Sequence, residues 1–275
     1  MKKLNIAIIG HGFVGKAVEH GFKQNNLFII DPQLGTDTSL ILDKHLDAVF
    51  ICVPTPMGED GKIDASIVLK VIDELKDLNT ILVLKSTVTP DIVGEIAAKV
   101  KNFVYNPEFL TERNALNDFE FPFMNVYGGD VRYTTALEYI YKNYTICKDA
   151  PSHHMSAVEA SFTKYAVNSF LFTKVVFWNQ FSELCDQYSA DYSKIQKAIG
   201  ADARIGMSHT TVPGHDGRKG SSGPCFGKDV PALINFSDKT LIILREAWNV
   251  NCDYRNAYDV PLAREQAQHI KFNKI

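Results

Sequence analysis

A single cysteine in a glycine-rich loop is the residue of this sequence whose surroundings most directly indicate chemistry. Cys225 lies in the segment SSGPCFGKD, between a Gly-Pro turn and a Lys-Asp pair. If a helix begins after Pro224, Cys225 and Asp229 lie four residues apart and point the same way. The thiol then stands at a helix N-terminus beside Lys228, and both features stabilise a thiolate. The pattern favours a reactive thiol over the small buried hydrophobe that a free cysteine usually is.

The other four cysteines, at positions 52, 147, 185 and 252, indicate no comparable role. They are widely spaced, and the sequence contains no CxxC pair. An odd total of five with such spacing is typical of a reducing compartment, not of a disulfide framework or a zinc site. We expect these four to be structural residues, and we expect no metal site, since the histidine spacing also fits none.

A glycine turn near the N-terminus predicts a cofactor site. In GHGFVG, Gly10, Gly12 and Gly15 follow an apolar run and precede a helical stretch. The first glycine allows a tight turn, the second a close approach to a pyrophosphate and the third close helix packing. Asp31 ends the next apolar run, 21 residues after Gly10, where a carboxylate accepts hydrogen bonds from a ribose and repels a 2′-phosphate. The motif predicts NAD rather than NADP; the alternative is a glycine turn with a surface aspartate.

A polar pair interrupts an apolar stripe in the second half of the chain. Neither Gly nor Pro occurs between Pro151 and Gly200, which favours one long helix from about residue 156 and a shorter one capped by Asp191. Steps of three and four place one stripe at positions 157, 161, 164, 168, 171, 175 and 178. Lys164 and Asn168 fall in it, where a lysine is costly unless it is paired or functional. The alternative is a lysine that extends to solvent beside a solvated asparagine.

The elements that must position these residues form two domains. The apolar runs LNIAII, LFIID, AVFICV, ILVLKS, FVYN and MNVYGG alternate with helical stretches from Leu4 to about Ile146. Such runs predict a doubly wound α/β fold, a Rossmann-like parallel sheet with helices on both faces. We therefore expect an NAD-binding domain over residues 1–150 and an all-helical dimerisation and substrate domain over residues 151–275.

Composition narrows the partners. The chain has 29 basic and 32 acidic side chains, a formal charge of −3, and 45% apolar residues. No basic surface indicates nucleic acid or an anionic membrane, so small soluble ligands are expected. The apolar run at positions 6–9 is too short for a signal peptide, and no run approaches the ~20 residues of a membrane span. We expect a cytoplasmic protein.

Five segments together resemble one enzyme family. CVPTP (52–56), KSTV (85–88), NPEFLTE (106–112), DARIG (202–206) and GPCFGKD (223–229) occur in the order found in UDP-glucose and GDP-mannose 6-dehydrogenases. The resemblance extends to about Trp248. It implies that NAD oxidises the primary alcohol of a sugar nucleotide twice, to the uronic acid, without release of the aldehyde. It implies that Cys225 is the nucleophile, through a thiohemiacetal and a thioester.

The resemblance also implies roles for other residues. Lys164 and Asn168 would stabilise an oxyanion or carry a proton, Glu112 would serve thioester hydrolysis and Thr87 would hold a water. The expected catalytic residues are Cys225, Lys164, Asn168, Asp229, Glu112 and Thr87. The expected NAD-binding residues are Gly10, Gly12, Phe13, Val14, Gly15, Asp31, Val53, Pro54, Thr55, Thr87, Glu112 and Lys228. The expected substrate-binding residues are Glu108, Phe109, Leu110, Lys164, Asn168, Arg204 and Gly223.

Non-functional alternatives remain for three of these residues. Glu108 and Glu112 stand four residues apart, a spacing that usually marks a solvated helix face. Arg204 would meet the sugar or a phosphate, or it is a surface arginine.

Departures from the family pattern leave other functions open. Family members carry a third domain, which we expect to be absent here; Ser221 and Ser222 replace glycines, and Gly227 stands where proline is common. One alternative is a dehydrogenase of the 6-phosphogluconate and 3-hydroxyisobutyrate type, with a single hydride transfer and no thiol. Another is a catalytically silent NAD-binding subunit. In each case we expect a homodimer built on the long helix, residues 156–190.

Overall fold

A computed structural model describes residues 2–275, which form two compact units. The first comprises the chain up to Thr55 and Asp64–Lys164; the second comprises Pro56–Ile63 and Tyr165–Ile275. The seven strands of the first unit are β1 (Asn5–Ile9), β2 (Asn26–Ile30), β3 (Ala48–Ile51), β4 (Ile81–Leu84), β5 (Phe103–Tyr105), β6 (Asn125–Gly129) and β7 (Ser152–Met155). They pair in the order β2-β1-β3-β4-β5-β6-β7.

The predicted doubly wound domain is confirmed. Strands β1 to β5 pair in parallel, and every residue of β3 and β4 is buried. The connecting helices are α1 (Phe13–Phe22), α2 (Ser66–Leu75), α3 (Pro90–Lys99), α4 (Ala115–Glu120) and α5 (Val131–Tyr144). An aromatic cluster lies in the core, with the rings of Phe22 and Phe50 4.9 Å apart and Tyr141 5.7 Å from Phe22. Continuous apolar strands are stable here because helices exclude water from the sheet.

Two features of the sheet differ from the prediction. Strand β6 is antiparallel to β5, and β7 adds a seventh strand that pairs in parallel with β6. An antiparallel neighbour needs no crossover, and the link from β5 to β6 contains only a 3-10 turn (Glu112–Asn114) and the six-residue α4. The polar sequence of β7, with His153 and His154 exposed, gives no strand signal because the strand lies at the sheet edge.

The second unit is helical, as predicted. It contains most of α6 (Ala157–Gln187), then α7 (Tyr192–Gly200), α8 (Phe226–Phe236), α9 (Ile242–Asn256) and α10 (Ala263–Ala267). Helix α6 is continuous over 31 residues, so the predicted long helix from about residue 156 is confirmed. Asp191 caps α7 by accepting a hydrogen bond from the amide of Ser193. None of the described helices has both the length and the hydrophobicity that a bilayer span requires.

The internal contacts divide the chain within α6. Ala157 and Ala160 fit against Gly128, where a Cβ would lie 2.5 Å from the Ala160 methyl, and the Ser161 hydroxyl donates to the carbonyl of Val88 at 2.8 Å. The first two turns of α6 therefore pack on the sheet unit. A boundary between independently folding domains at residue 150 stays a prediction.

Candidate active site

The glycine turn between β1 and α1 has the geometry of a phosphate cradle. Gly10 has φ +89°, and a Cβ there would lie 2.6 Å from the carbonyl oxygen of Cys52. A Cβ on Gly15 would lie 2.0 Å from the carbonyl oxygen of Gly10, whereas one on Gly12 would meet nothing within 4 Å. The packing of the turn therefore requires glycine at positions 10 and 15, whereas open space remains beside Gly12. That space lies at the N-terminus of α1, where Phe13 and Val14 form the first turn.

Asp31 is held beside this turn. Its Oδ2 accepts a hydrogen bond from the amide of His11 at 2.6 Å, and its Oδ1 accepts one from the amide of Gln33 at 2.8 Å. Two backbone donors fix the carboxylate at the end of β2, and each oxygen keeps a second acceptor position for a ribose hydroxyl. The open glycine turn and this carboxylate fit an NAD molecule.

The segments that follow β3 and β4 meet at the same sheet edge. The Ser86 hydroxyl donates to the carbonyl of Val53 at 2.7 Å. Thr55 and Thr87 are buried, and Pro54 is exposed. The predicted cofactor residues of the first unit thus lie on the loops at the carboxyl ends of parallel strands, where α/β sheets bind ligands.

Lys164 is a buried, paired lysine and does not extend to solvent. It is 2% exposed, and its Nζ donates to the Glu108 carbonyl at 2.6 Å and to Glu108 Oε1 at 3.0 Å. The other carboxylate oxygen of Glu108 accepts from the amide of Leu110 at 2.6 Å, and the Phe109 ring lies 5.4 Å from the ammonium. The ammonium is thus a fixed positive charge in a site of low water content, which is the arrangement that stabilises a developing oxyanion.

The two glutamates of NPEFLTE do not share a helix face. Glu108 lies in an irregular segment and is 6% exposed, whereas Glu112 begins a 3-10 turn (Glu112–Asn114) and is exposed. The solvated-face alternative is therefore wrong for Glu108, because the backbone between the two residues is not helical.

A buried polar cluster beneath this segment was missed by the sequence analysis. Lys85 is 4% exposed, and its Nζ donates to the carbonyl and to Oδ1 of Asn106 at 3.0 and 2.9 Å. The Tyr141 hydroxyl also donates to Asn106 Oδ1, and the Asn106 amide donates to the carbonyl of Val126. Burial lowers the pKa of Lys85 to about 8. The sequence did contain a signal for this cluster. Lys85 comes directly after a wholly apolar strand, and a charge at such a position requires hydrogen-bonding partners.

Cys225 occupies the N-terminal position of α8, as predicted. The Asp229 amide donates to the Cys225 carbonyl at 2.9 Å, so the two residues are one helical turn apart. The Asp229 carboxylate is 1% exposed and receives Lys228 Nζ at 2.6 Å and the Asn168 amide at 2.7 Å. The thiol is half-buried. The second unit therefore places a thiol one turn from a buried carboxylate that two donors hold in place.

The remaining predicted residues are more exposed. Arg204 is bound in its own turn, with Nη2 2.6 Å from Asp202 Oδ2, and its side chain is 89% exposed. Gly223, with φ +95°, forms the turn before the thiol. Cys52, Cys185 and Cys252 are buried, and Cys147 is half-buried with its thiol 3.0 Å from the carbonyl of Phe119. Over residues 2–275, no group of three or more potential ligands is arranged for a metal ion.

A Rossmann-like unit with an NAD-type turn, followed by a helical unit with a loop cysteine, defines a class of two-domain dehydrogenases. Residues 30–145 match the NAD binding domain of the UDP-glucose/GDP-mannose dehydrogenase family, and residues 158–252 match the central domain of the same family. The chain belongs to the UDP-glucose/GDP-mannose dehydrogenase family. The first match begins after the glycine turn, so the geometry of that turn is an observation independent of the match.

Individual relatives agree with this assignment. The chain is 35% identical over 201 residues to UDP-glucose 6-dehydrogenase of Rickettsia bellii, an alignment that covers 69% of this chain and 45% of that protein. A UDP-glucose dehydrogenase from Pyrobaculum islandicum superposes with a TM-score of 0.77 at 27% identity, over 94% of this chain and 69% of that one. The chain thus spans less than half the length of the curated relatives it matches.

A further structural neighbour shares the fold alone. The 3-hydroxyisobutyrate dehydrogenase of Mycobacterium tuberculosis superposes with a TM-score of 0.70 at 14% identity. That alignment covers 98% of this chain and 99% of the neighbour.

Proposed function

We propose that this protein is an NAD-dependent dehydrogenase that oxidises the primary alcohol of a sugar nucleotide, such as UDP-glucose, twice to the uronic acid. The observation that carries the proposal is Cys225 at the start of α8, one turn from the buried Asp229. A single alcohol-to-carbonyl oxidation needs no thiol, whereas an alcohol-to-acid oxidation needs a group that turns the aldehyde into a hydride donor again. The substrate names of the relatives support the sugar-nucleotide class.

The first unit provides the cofactor site and a positive charge. When bound at this site, NAD would supply the hydride acceptor for each oxidation step. Asp31 would hold a ribose, and the N-terminus of α1 would hold the pyrophosphate. Lys164, fixed by Glu108, stabilises negative charge on the substrate oxygen as each hydride leaves. Thr87 holds a water, and the exposed Glu112 assists hydrolysis by accepting a proton from water.

The second unit provides the covalent step. The thiolate sulfur of Cys225 adds to the aldehyde carbon, and the resulting alkoxide is protonated to a thiohemiacetal. Loss of the second hydride and of the hydroxyl proton leaves a thioester. Water then breaks the carbon–sulfur bond, which releases the carboxylate and restores the thiol. Asn168 and Asp229, hydrogen-bonded to each other at 2.7 Å, orient the reacting group and transfer the proton.

Substrate contacts and assembly complete the proposal. Phe109, Leu110, Gly223 and Arg204 contact the substrate; Arg204 would have to exchange Asp202 for a phosphate. A homodimer forms through the exposed face of α6. Five free cysteines fit a reducing compartment, and we place the protein in the cytoplasm.

The stoichiometry of NADH tests the chemistry. A panel of sugar nucleotides and free hydroxy acids is incubated with NAD, and NADH is counted per molecule of substrate consumed. The expected result is two NADH with a sugar nucleotide. Cys225→Ser should retain the first hydride transfer and slow the second by about 100-fold or more, because a serine hydroxyl lacks the activated anion. Aldehyde or a stalled adduct should then accumulate.

A matched control and two alternative outcomes make this test decisive. Cys147→Ser changes another half-buried thiol and should leave two NADH per substrate. One NADH per hydroxy acid, unaffected by Cys225→Ser, would instead support the single-step class to which the 3-hydroxyisobutyrate neighbour belongs. Bound NAD without turnover of any substrate would support a silent subunit.

A further inference from the structure

The C-terminal segment Leu262–Ile275, here called the strap, packs on the first turn of the helix that carries Cys225. Ile270 is 8% exposed and fills the space in front of Gly227. A Cβ on Gly227 would lie 2.7 Å from Ile270 Cδ1 and 2.9 Å from Ile270 Cγ2. Because Cγ2 is bonded directly to Cβ, rotation about the outer torsion of this β-branched side chain cannot relieve both contacts. Gly227 is thus fitted to Ile270.

The first turn of α8 requires packing from outside itself. Pro231 is the sixth residue of α8 and has no amide hydrogen, so the helix cannot form the bond that the carbonyl of Gly227 would accept. The turn that contains Cys225, Gly227 and Lys228 therefore has fewer internal hydrogen bonds than an ordinary helix start. Ile270 covers this under-bonded turn.

A buried ion triad joins the strap to the loop before the thiol. Arg255 Nη2 lies 3.1 Å from Glu265 Oε1 of the strap, and Arg255 Nη1 lies 2.9 Å from Asp216 Oδ2 of the loop. Arg255 and Glu265 are 4% and 1% exposed. The carbonyl of Glu265 also accepts from the amide of Ile270 at 2.9 Å. One guanidinium thus couples the glycine-rich loop to the residue that covers Gly227.

The rest of the strap is fixed on α9. Trp248 Nε1 donates to the carbonyl of Asn273 at 2.8 Å, and the Phe272 ring stacks on Trp248 with centroids 5.7 Å apart. The Asn256 side chain donates to the carbonyl of Phe272 at 2.9 Å. The strap is therefore a folded part of the second unit. It lies beyond residue 252, where the match to the family's central domain ends.

We propose that Ile270, together with Glu265 and Arg255, positions Cys225 by holding the first turn of α8 in place. The role of Cys225 as nucleophile rests on the proposed function. The contact between Ile270 and Gly227 does not. Loss of the contact or overcrowding of it should loosen the same turn, and a larger residue at position 227 combined with a smaller one at position 270 should restore it.

A double-substitution cycle tests the proposal in the full chain. The variants are Gly227→Ala, Ile270→Ala and the combination of the two. Ile270→Ala leaves the turn uncovered, and Gly227→Ala forces Ile270 away; in the combination the alanine methyl fills part of the vacated space. Hydrogen exchange in peptides that cover residues 221–236 reports the order of the turn. The rate of the second NADH reports the position of the thiol.

Both single variants should exchange faster at residues 226–230 and slow the second oxidation by about tenfold, because misplacement of a reacting group reduces rate steeply. The combination should return both readouts to within about threefold of the unmodified protein. Ile234→Ala is the matched control, since Ile234 is 1% exposed in the later turns of α8. It deletes the same atoms and should lower the unfolding temperature without a specific effect on the second oxidation.

Additive losses in the combination, or unchanged exchange at residues 226–230 in Ile270→Ala, would overturn the proposal. An equal effect of Ile234→Ala on the second oxidation would also overturn it, because general destabilisation would then explain the loss. If the unmodified protein forms no NADH but the exchange cycle still shows rescue, the contact holds the turn as inferred and the proposed activity is wrong.

Discussion

Burial separates the charged and polar residues of the candidate site into two groups. Lys164, Asn168 and Asp229 are each less than 10% exposed, and each has a hydrogen-bonded partner. Glu112 and Arg204 are exposed. Residue type and spacing indicated Lys164, Asn168 and Asp229, and the family resemblance implied Glu112 and Arg204, but the sequence could not show which of the five were desolvated. A buried charge is stable only when it is paired, and the hydrogen-bonded partners of Lys164 and Asp229 meet that condition.

Asp31 should set the choice between cofactors. Its carboxylate is fixed by the amides of His11 and Gln33, so it would repel the 2′-phosphate of NADP. We expect NAD to bind at least about tenfold more tightly than NADP, and Asp31→Ala to narrow that difference by weakening NAD. Titration of both cofactors by fluorescence measures it. Asp37→Ala, at another exposed cap that accepts from Ser39, is the control; equal affinities in the unmodified protein would remove this role from Asp31.

Lys85 should make stability depend on pH. Burial lowers its folded pKa to about 8, below the value of about 10.4 in an unfolded chain. Between these values the unfolded state binds more protons, so the lysine's contribution to folding becomes less unfavourable as pH rises from 8 to 10. The free energy of unfolding, relative to that of Lys85→Met, should rise by roughly 2 kcal/mol from pH 8 to pH 10, because one pKa unit corresponds to about 1.4 kcal/mol and the folded lysine is already half deprotonated at pH 8.

A comparison of variants isolates this effect from other titrating groups. Lys85→Met also removes the hydrogen bonds to Asn106, but that loss is the same at every pH. Lys99→Met removes an exposed lysine, and the difference in free energy of unfolding between this variant and the unmodified protein should not change with pH. Denaturant unfolding at several pH values provides the measurement. A difference between Lys85→Met and the unmodified protein that stays constant from pH 7 to pH 10.5 would contradict a desolvated ammonium.

At the scale of elements, the sequence predicted those features that local pattern determines. Strands β1 to β6 coincide with the apolar runs, and α6 and the Asp191 cap lie where periodicity and capping chemistry indicated. The antiparallel pairing of β6 was not predictable, since strand direction depends on the connection and not on the strand. The polar β7 gave no signal, because its pairing with β6 is formed by backbone hydrogen bonds and a stack of the His154 ring on Tyr127, neither of which needs an apolar run.

The strap shows the same limit in the second unit. No local pattern of the sequence predicts that Ile270 covers Gly227 or that Arg255 joins Glu265 to Asp216. These are contacts between residues that are 10 to 43 positions apart. The physical reason for a glycine at position 227 is visible only in the folded chain, where any side chain would meet Ile270.

At the scale of the whole molecule, one face of α6 carries a row of exposed apolar side chains. Phe170, Phe177, Leu184 and Tyr188 are 70%, 52%, 46% and 79% exposed. Spacings of seven, seven and four place them along one side of the helix. Large apolar side chains in a continuous row on a soluble surface mark an interaction site. Two copies related by a two-fold axis would present the same row to each other, so a symmetric dimer is the simplest assembly that would bury it.

We therefore expect a homodimer that depends on this row. Phe170→Glu with Phe177→Glu should convert the dimer to monomer at micromolar concentration, because two like charges per chain would face each other in the interface at a cost of several kcal/mol. Sedimentation velocity measures the change. Ile243→Glu introduces the same charge at a side chain that is 79% exposed on α9, and it should leave the dimer intact. A monomeric unmodified protein would contradict the proposal, and a dimer that persists in the double variant would place the interface elsewhere on the molecule.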